Sequence, residues 1–232
     1  MMLSVVIPCF NEEKNISKSI NKILDWSKDN NFKIELVLVN NASTDNTLTN
    51  IKKFNSEKNI ICLNENLKGK GFAVVKGINA SSYNKVLILD ADLSADITEF
   101  NISWIEKNDL LIIGSRKLGK EVNTPLIRQI SGKIFNLIER KVLNLEYRDI
   151  HCGFKYIATD QLKDITNSLN SMEYLYDLDL LLACRNKGLD IIENPVTYYF
   201  DRDSSVSLLK DPFKMLRDLF TLKEKYKFNL SI

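Results

Sequence analysis

The chain has 232 residues, 44% of them hydrophobic and 27% charged, with a formal net charge of +2. That length suits one domain, or a domain with an appendage, and the composition is that of an ordinary soluble globular protein. So small a net charge gives no reason to expect nucleic acid as a partner, and no apolar run approaches the roughly 18 residues needed to cross a bilayer.

Near the N-terminus "LSVVIP" predicts a strand, and Ile16, Ile20, Ile23 and Leu24 then recur at helical spacing behind Asn11, a candidate cap. "IELVLV" at 34–39 predicts a second strand, followed by "NNASTDNT" and a helix carrying Leu48 and Ile51. "IICL" at 60–63 predicts a third, followed by "NENLKGKG" and a helix with Val74, Val75 and Ile78; "KVLILD" predicts a fourth. Strands that are apolar throughout, alternating with helices, argue for an α/β protein whose parallel sheet is covered on both faces. The four cysteines, Cys9, Cys62, Cys152 and Cys184, lie far apart without CxxC spacing, so buried free thiols are expected rather than a zinc site or disulfides. "MMLSVVIPCF" is too short and too early for a signal peptide, which makes a cytoplasmic protein the expectation.

Parallel sheets bind ligands at the carboxyl ends of their strands. The loops after Ile7, Val39, Leu63 and Leu89 should therefore open on one rim, bringing Glu12, then Asn40, Asn41 and Asp45, then Lys70 between two glycines, then Asp90 and Asp92. In an extended segment positions i and i+2 point the same way, so the two aspartates could share one cation. A carboxylate placed at the end of a buried strand is costly unless something positive offsets it. The Gly69–Lys70–Gly71 loop has neither P-loop nor GxGxxG spacing. A lysine, helix-start amides and two carboxylates on one rim nevertheless describe a site for a metal-bound diphosphate.

"SVVIPCFNEEKNI", "LVNNASTDNT", "NLKGKGFAVVKGINAS" and "ILDADLS" resemble, in order and spacing, the family-2 inverting glycosyltransferases with the GT-A fold. "IIGSRKLG" (112–119), "PLIRQISGKIFN", "DIHCGFKYI" (149–157) and "YLYDLDLLLACRNKGLDIIENPV" (174–196) look like the polyprenyl-phosphate branch, the dolichyl-phosphate mannose and glucose synthases. The resemblance covers residues 3–220 and implies a GT-A, Rossmann-like α/β/α sandwich with a mostly parallel central sheet. It implies that Pro8, Phe10 and Glu12, with Asn40, Asp45 and Lys70, line a UDP- or GDP-sugar. Asp90, Ala91 and Asp92 match the motif that binds Mg²⁺ or Mn²⁺, Ser94 stands where a third metal-site group is often supplied, and Arg116 and Arg128 match arginines that hold donor and acceptor phosphates. Asn40 departs from the aspartate that relatives carry at the nucleobase, which leaves the base preference open. "DRDSSVS" replaces the family's usual stretch near the end and leaves Arg202 as a further phosphate candidate.

A hexose leaving a diphosphate passes through an oxocarbenium-like state, and a phosphate acceptor, already an anion, needs positive charge rather than a general base. A hydroxyl acceptor would need a base, for which Asp177 and Asp179 are the candidates; the same two acids would equally suit a helix N-terminus. His151, the only histidine, reads as a loop residue, and Tyr174 and Tyr176 as core or acceptor-side aromatics. Two other readings are a catalytically silent nucleotide-sugar-binding module, against which the intact Asp90/Asp92 pair speaks, and a nucleotidyltransferase, which would want a glycine-rich N-terminal loop that "PCFNEEKN" lacks.

A lipid-linked acceptor such as polyprenyl phosphate sits in a membrane. In the tail, Leu208, Leu209, Phe213, Leu216, Leu219 and Phe220 recur at helical spacing among Lys210, Lys214, Arg217, Lys223, Lys225 and Lys227. Such a C-terminal amphipathic helix suits either a membrane surface or a core-covering position. The pattern Ile127–Val142, with Ile130, Ile134 and Ile138, is open in the same way. The expectation is thus a glycosyltransferase domain over residues 1–205 and an amphipathic helix over 206–232, peripheral at the inner face of the membrane, with a homo-oligomer possible in principle.

Overall fold

The structure is a computed structural model that describes residues 2–124, 126–199 and 212–227, leaving aside the side chains of residues 126–131, 133 and 212–214. Its centre is a seven-stranded sheet. β1 (Leu3–Cys9), β2 (Ile34–Asn41), β3 (Ile60–Glu65) and β4 (Lys85–Ile88) run parallel in the order β3-β2-β1-β4. β6 (Lys155–Ala158) lies antiparallel between β4 and β5 (Leu110–Val122), and β7 (Asp190–Tyr199) pairs parallel with β5. β6 is thus the one reversed strand, and its first residue, Lys155, pairs with Ile88 at the end of β4.

The two-residue period of a strand sends successive side chains to opposite faces. Leu3, Val5 and Ile7 accordingly enter one core and Val6 the other. On the first face α1 (Ile16–Asp29) buries Ile16, Ile20 and Ile23, the stripe its spacing predicts, and α2 (Thr47–Lys52) buries Ile51. Truncating a buried isoleucine such as Ile20 to alanine would destabilise the fold by about 2–5 kcal/mol. On the second face lie α3 (Lys70–Ala80), α4 (Leu126–Leu143), α5 (Leu162–Ser168), α6 (Tyr176–Asn186) and α7 (Pro212–Lys225). α3 lies so close to the sheet that a Cβ on Gly77 would collide with Val6. α6 is buried from Tyr176 to Cys184, as a helix apolar nearly all round must be.

The α/β/α sandwich with a mostly parallel sheet is therefore present as expected. Asn11 does not cap α1: it sits in the left-handed region at φ 55° and its Oδ1 accepts from the Thr44 amide at 2.8 Å, while the helix begins after Asn15. Of the tail, Leu219, Leu222 and Tyr226 are buried in the second core, whereas Phe220 is 54% exposed. Residues 200–211, with the 205/206 boundary, Arg202, Leu208, Leu209 and Lys210, lie outside the described residues. All four cysteines are free, three of them buried and Cys62 half-buried.

Candidate active site

β1 to β4 end on one rim, and beyond β4 the Leu89 amide still bonds the Val6 carbonyl at 3.1 Å. The chain then turns rather than staying extended as the sequence suggested. The Leu93 amide donates to the Asp90 carbonyl at 3.0 Å, with Leu93 at φ 50°. The turn is anchored from several sides. Ser19 Oγ of α1 donates to the Ala91 carbonyl at 2.6 Å, the Tyr199 amide of β7 donates to the Ser94 carbonyl at 2.8 Å, and Asp92 Oδ1 accepts from the Ser94 amide at 2.9 Å. Ser94 is buried, and its backbone bonds brace the turn beside Asp92. Burial first, with the charges of Asp90 and Asp92, raises the pKa of the Tyr198 hydroxyl against the lowering effect of a hydrogen bond with Ser94 and of the Arg116 charge.

Asp90 Oδ1 carries the Lys70 ammonium at 2.7 Å. Burial opposes charging Lys70, but the charges of Asp90 and Asp177 outweigh it and raise its pKa. The lysine starts α3 between two glycines that lie against the backbone of Met172. A Cβ on Gly69 would approach the Met172 carbonyl oxygen to 2.5 Å, and one on Gly71 would approach its Cα to 2.7 Å. Gly69 also has φ 140°, a conformation that only glycine adopts readily. The Gly69 amide donates to Asn41 Oδ1 and the Gly71 amide to the Met172 carbonyl, so these two helix-start amides are engaged and the expectation that they face a diphosphate is corrected. Asp90 also rests on Gly153, where a Cβ would overlap the carboxylate.

Behind this rim lies a chain of buried charges. Lys155, 1% exposed, donates to Asp177 Oδ1 at 2.5 Å and to the Cys152 carbonyl at 2.6 Å. His151 Nδ1 lies 3.8 Å from Asp177 Oδ2, and its Nε2 meets the fully buried Glu139 of α4 at 2.8 Å. The His151 ring stacks beside Tyr174, centroids 5.1 Å apart. Burial disfavours charge on His151, yet Glu139 and Asp177 outweigh it and push its pKa up to about 9. Asp177 is buried too, and Lys155, Lys70 and His151 together hold its pKa well below the carboxylate range. Such a group is a poor proton acceptor, which corrects its assignment as a base. Asp179 is fully buried and accepts from the Asn170 and Ser171 amides, Lys225 and Tyr226, so it too is disposed as a structural acid. Tyr176 is core.

Arg116 forms a bidentate pair with Asp149, Nε–Oδ2 2.7 Å and Nη2–Oδ1 2.6 Å, and stacks over Tyr198 at 5.1 Å. Planar forks of this kind hold guanidinium groups in one orientation. Asp149, His151 and Gly153 thus alternate along one loop, facing Arg116, Glu139 and Asp90 in turn. The side chains of Arg128, in the first turn of α4, and of Arg202 lie outside the described residues.

On the β1–β2 side of the rim Phe10 is 37% exposed beyond Pro8. Asn40 is buried; its Nδ2 donates to Asn64 Oδ1 at 2.6 Å while its Oδ1 has no partner among the described residues. An unsatisfied buried acceptor is costly, and a ligand donor would relieve it. The Glu12 amide donates to Thr47 Oγ1 and its side chain accepts from Asn15. Asp45 is taken up locally, accepting from the Glu13 amide and from both the amide and hydroxyl of Thr47, so it ties two loops together instead of presenting a free carboxylate.

Residues 4–166 match Glycosyl transferase family 2. The chain belongs to this family. It is 31% identical over 237 residues to a dolichyl-phosphate beta-glucosyltransferase of Trichomonas vaginalis, covering 95% of this chain and 72% of the relative. It is 28% identical to the dolichyl-phosphate beta-glucosyltransferase of Homo sapiens, covering 97% and 75%. Among solved structures, glucosyl-3-phosphoglycerate synthase from Mycobacterium tuberculosis superposes with a TM-score of 0.61 in its UDP complex, at 19% identity, over 97% of this chain and 80% of that one. Its complex with Mn²⁺, UDP-glucose and glycerol 3-phosphate gives 0.62 at 17% identity, over 99% and 78%. Those likenesses establish the GT-A fold, and family membership makes the chain a glycosyltransferase.

The solved glucosyl-3-phosphoglycerate synthase holds Mn²⁺ together with UDP-glucose, and the corresponding expectation for Asp90 and Asp92 can be set against their surroundings here. Lys70 carries the positive charge on Asp90, the half-buried Asp92 follows in the same turn, and no group of three or more His, Cys, Asp or Glu that could hold a metal ion lies among the described residues, so the protein offers an ion at most these two carboxylates. Two carboxylates suit a hard ion such as Mg²⁺ or Mn²⁺ that keeps water and phosphate oxygens as its remaining ligands.

Proposed function

We propose that this glycosyltransferase moves glucose from UDP-glucose to a polyprenyl phosphate, with inversion at the anomeric carbon, and that Asp90 and Asp92 hold a Mg²⁺ or Mn²⁺ ion. The observation that carries the reading is the Asp90–Lys70 pair, at 2.7 Å, on the rim of a chain that aligns along 95% of its length with a dolichyl-phosphate glucosyltransferase. The divalent ion, when bound, supplies charge stabilisation to the diphosphate leaving group, worth several kcal/mol. Lys70 adds an ammonium to the same phosphates. Phe10 and Asn40 receive the nucleoside, the Asn40 Oδ1 accepting from the base. Arg116, oriented by Asp149, and Arg128 let the anionic acceptor approach. A phosphate oxygen then attacks the anomeric carbon as the bond to the diphosphate breaks. No proton has to be removed, which agrees with a site whose buried acids are all paired.

A lipid-linked acceptor would bring the enzyme to a membrane surface. No helix among the described residues is long and apolar enough to cross one. Surface contact is assigned instead to Ile134 and Leu137 of α4 and Phe220 of α7, 58%, 51% and 54% exposed, with Arg217 and Lys223 nearby in sequence.

Incubation with UDP-glucose or GDP-mannose, Mn²⁺ and a short polyprenyl phosphate in detergent, followed by mass spectrometry, tests the reading. Polyprenyl-phosphate glucose is expected from UDP-glucose, with the β configuration by NMR. Hexose on a hydroxyl acceptor and none on the lipid phosphate would overturn it.

A further inference from the structure

Lys70 and the expected cation compete for one carboxylate. Lys70 Nζ sits 2.7 Å from Asp90 Oδ1, and Gly153 packs so close to the same carboxylate that a Cβ there would overlap it, so the ammonium occupies an approach that a metal ion would also use. The backbone on both sides of Lys70 is fixed, because Gly69 and Gly71 are wedged against Met172 and their amides bond Asn41 and Met172. Only the four-carbon stem can move, and the lysine side chain is 30% exposed toward the rim, where the diphosphate is expected. Lys155 and His151 stay beside Asp177 wherever Lys70 points, so the buried network behind keeps two of its three compensating charges when the lysine moves.

Resting on the donor reading above, we infer that Lys70 is the residue that couples metal to nucleotide. Without donor its ammonium neutralises Asp90 and repels a divalent ion. With donor it transfers to a phosphate oxygen, freeing Asp90 for the ion. Metal and nucleotide therefore bind as a pair, each strengthening the other by the same factor, as linkage requires. Bare metal is kept off the site, and donor without metal finds the lysine engaged.

The test is Mn²⁺ titration followed by paramagnetic resonance, on the wild type and Lys70→Gln, with and without UDP, the fold being checked by circular dichroism. Without UDP, Lys70→Gln should bind Mn²⁺ more tightly than the wild type, on the order of tenfold. UDP, whose phosphate oxygens also ligate the ion, should raise Mn²⁺ affinity in both proteins and by a smaller factor in the variant. Lys70→Arg, which keeps the charge, should behave as the wild type does. Unchanged or weaker Mn²⁺ binding by Lys70→Gln, in a protein whose wild type binds Mn²⁺ and UDP together, would overturn the inference and leave the donor reading standing. A wild type that binds neither would remove both.

Discussion

The Asp90 carboxylate packs directly onto the Cα of Gly153, leaving no room for a side chain there. Gly153→Ala should push the carboxylate off its position while Lys155 and the sheet hold the rest of the loop. Displacement of a reacting group by about 1 Å lowers turnover by roughly 10²-fold. Mn²⁺ affinity in the presence of UDP should fall in parallel. Gly132→Ala in α4 is the control, since nothing lies within 4 Å of its Cβ. It should leave turnover intact and raise stability by about 0.5–1 kcal/mol, the helical gain of alanine over glycine.

Asp92→Ala should abolish transfer with little loss of fold. The residue is half-buried in a turn, and its local bond to the Ser94 amide contributes only about 1 kcal/mol. Product formation and thermal unfolding measured on the same preparation check this. An active Asp92→Ala enzyme would refute the metal assignment.

Lys155 and Asp177 should behave as a buried pair. Lys155→Met leaves a charged Asp177 without its nearest partner and should destabilise the protein by about 3–5 kcal/mol. Adding Asp177→Leu should restore most of that, because the second variant removes the stranded charge. Urea denaturation of the single and double variants gives the comparison.

His151 links stability to pH. Its folded-state pKa lies above the ordinary 6.5, at about 9, because Glu139 and Asp177 favour the charged ring. The stabilisation is therefore complete below about pH 6.5 and disappears as pH rises through about 9. It amounts to something on the order of 3 kcal/mol. Unfolding followed at pH 6.5, 8 and 9.5 should show the wild type weakening across this window and His151→Gln staying nearly level.

Membrane contact should reside in α4 and α7. Replacing Ile134, Leu137 and Phe220 with serine should lower cosedimentation with anionic vesicles at least tenfold, since burying each such side chain contributes about 1.5–3 kcal/mol. Turnover of a short, detergent-dispersed acceptor should change little.

Much of the fold could be read because apolar runs such as Leu3–Cys9 can only be buried strands, and their parallel order gathers the following loops on one rim. Asp90 was legible as an acid at a strand's end that needs a positive partner, which the structure supplies as Lys70, and the turn at Leu93 replaces the extended geometry first assumed for Asp90 and Asp92. Asp177 was named as a candidate base for a hydroxyl acceptor because its partner was overlooked. The signal existed: a lysine inside the apolar strand "FKYIA" and an aspartate inside the apolar helix "YDLDLLL" each require an opposite charge once buried. Gly153 gave no such signal, because its role depends on a strand 65 residues earlier delivering Asp90 against it, and proximity of that kind is set only by the completed sheet. Tyr198 and Asp149 were missed for the same reason.

The reversed direction of β6 also fixes where the chain tolerates change. Since this strand starts at the rim that carries Asp90, an insertion between Leu143 and Lys155 would shift Gly153 and the loop against which that carboxylate rests, however well the helices on the two faces survived. An insertion just after Ala158 would fall at the far edge of the sheet, beside Lys85 and Leu110, where no chemistry depends on it.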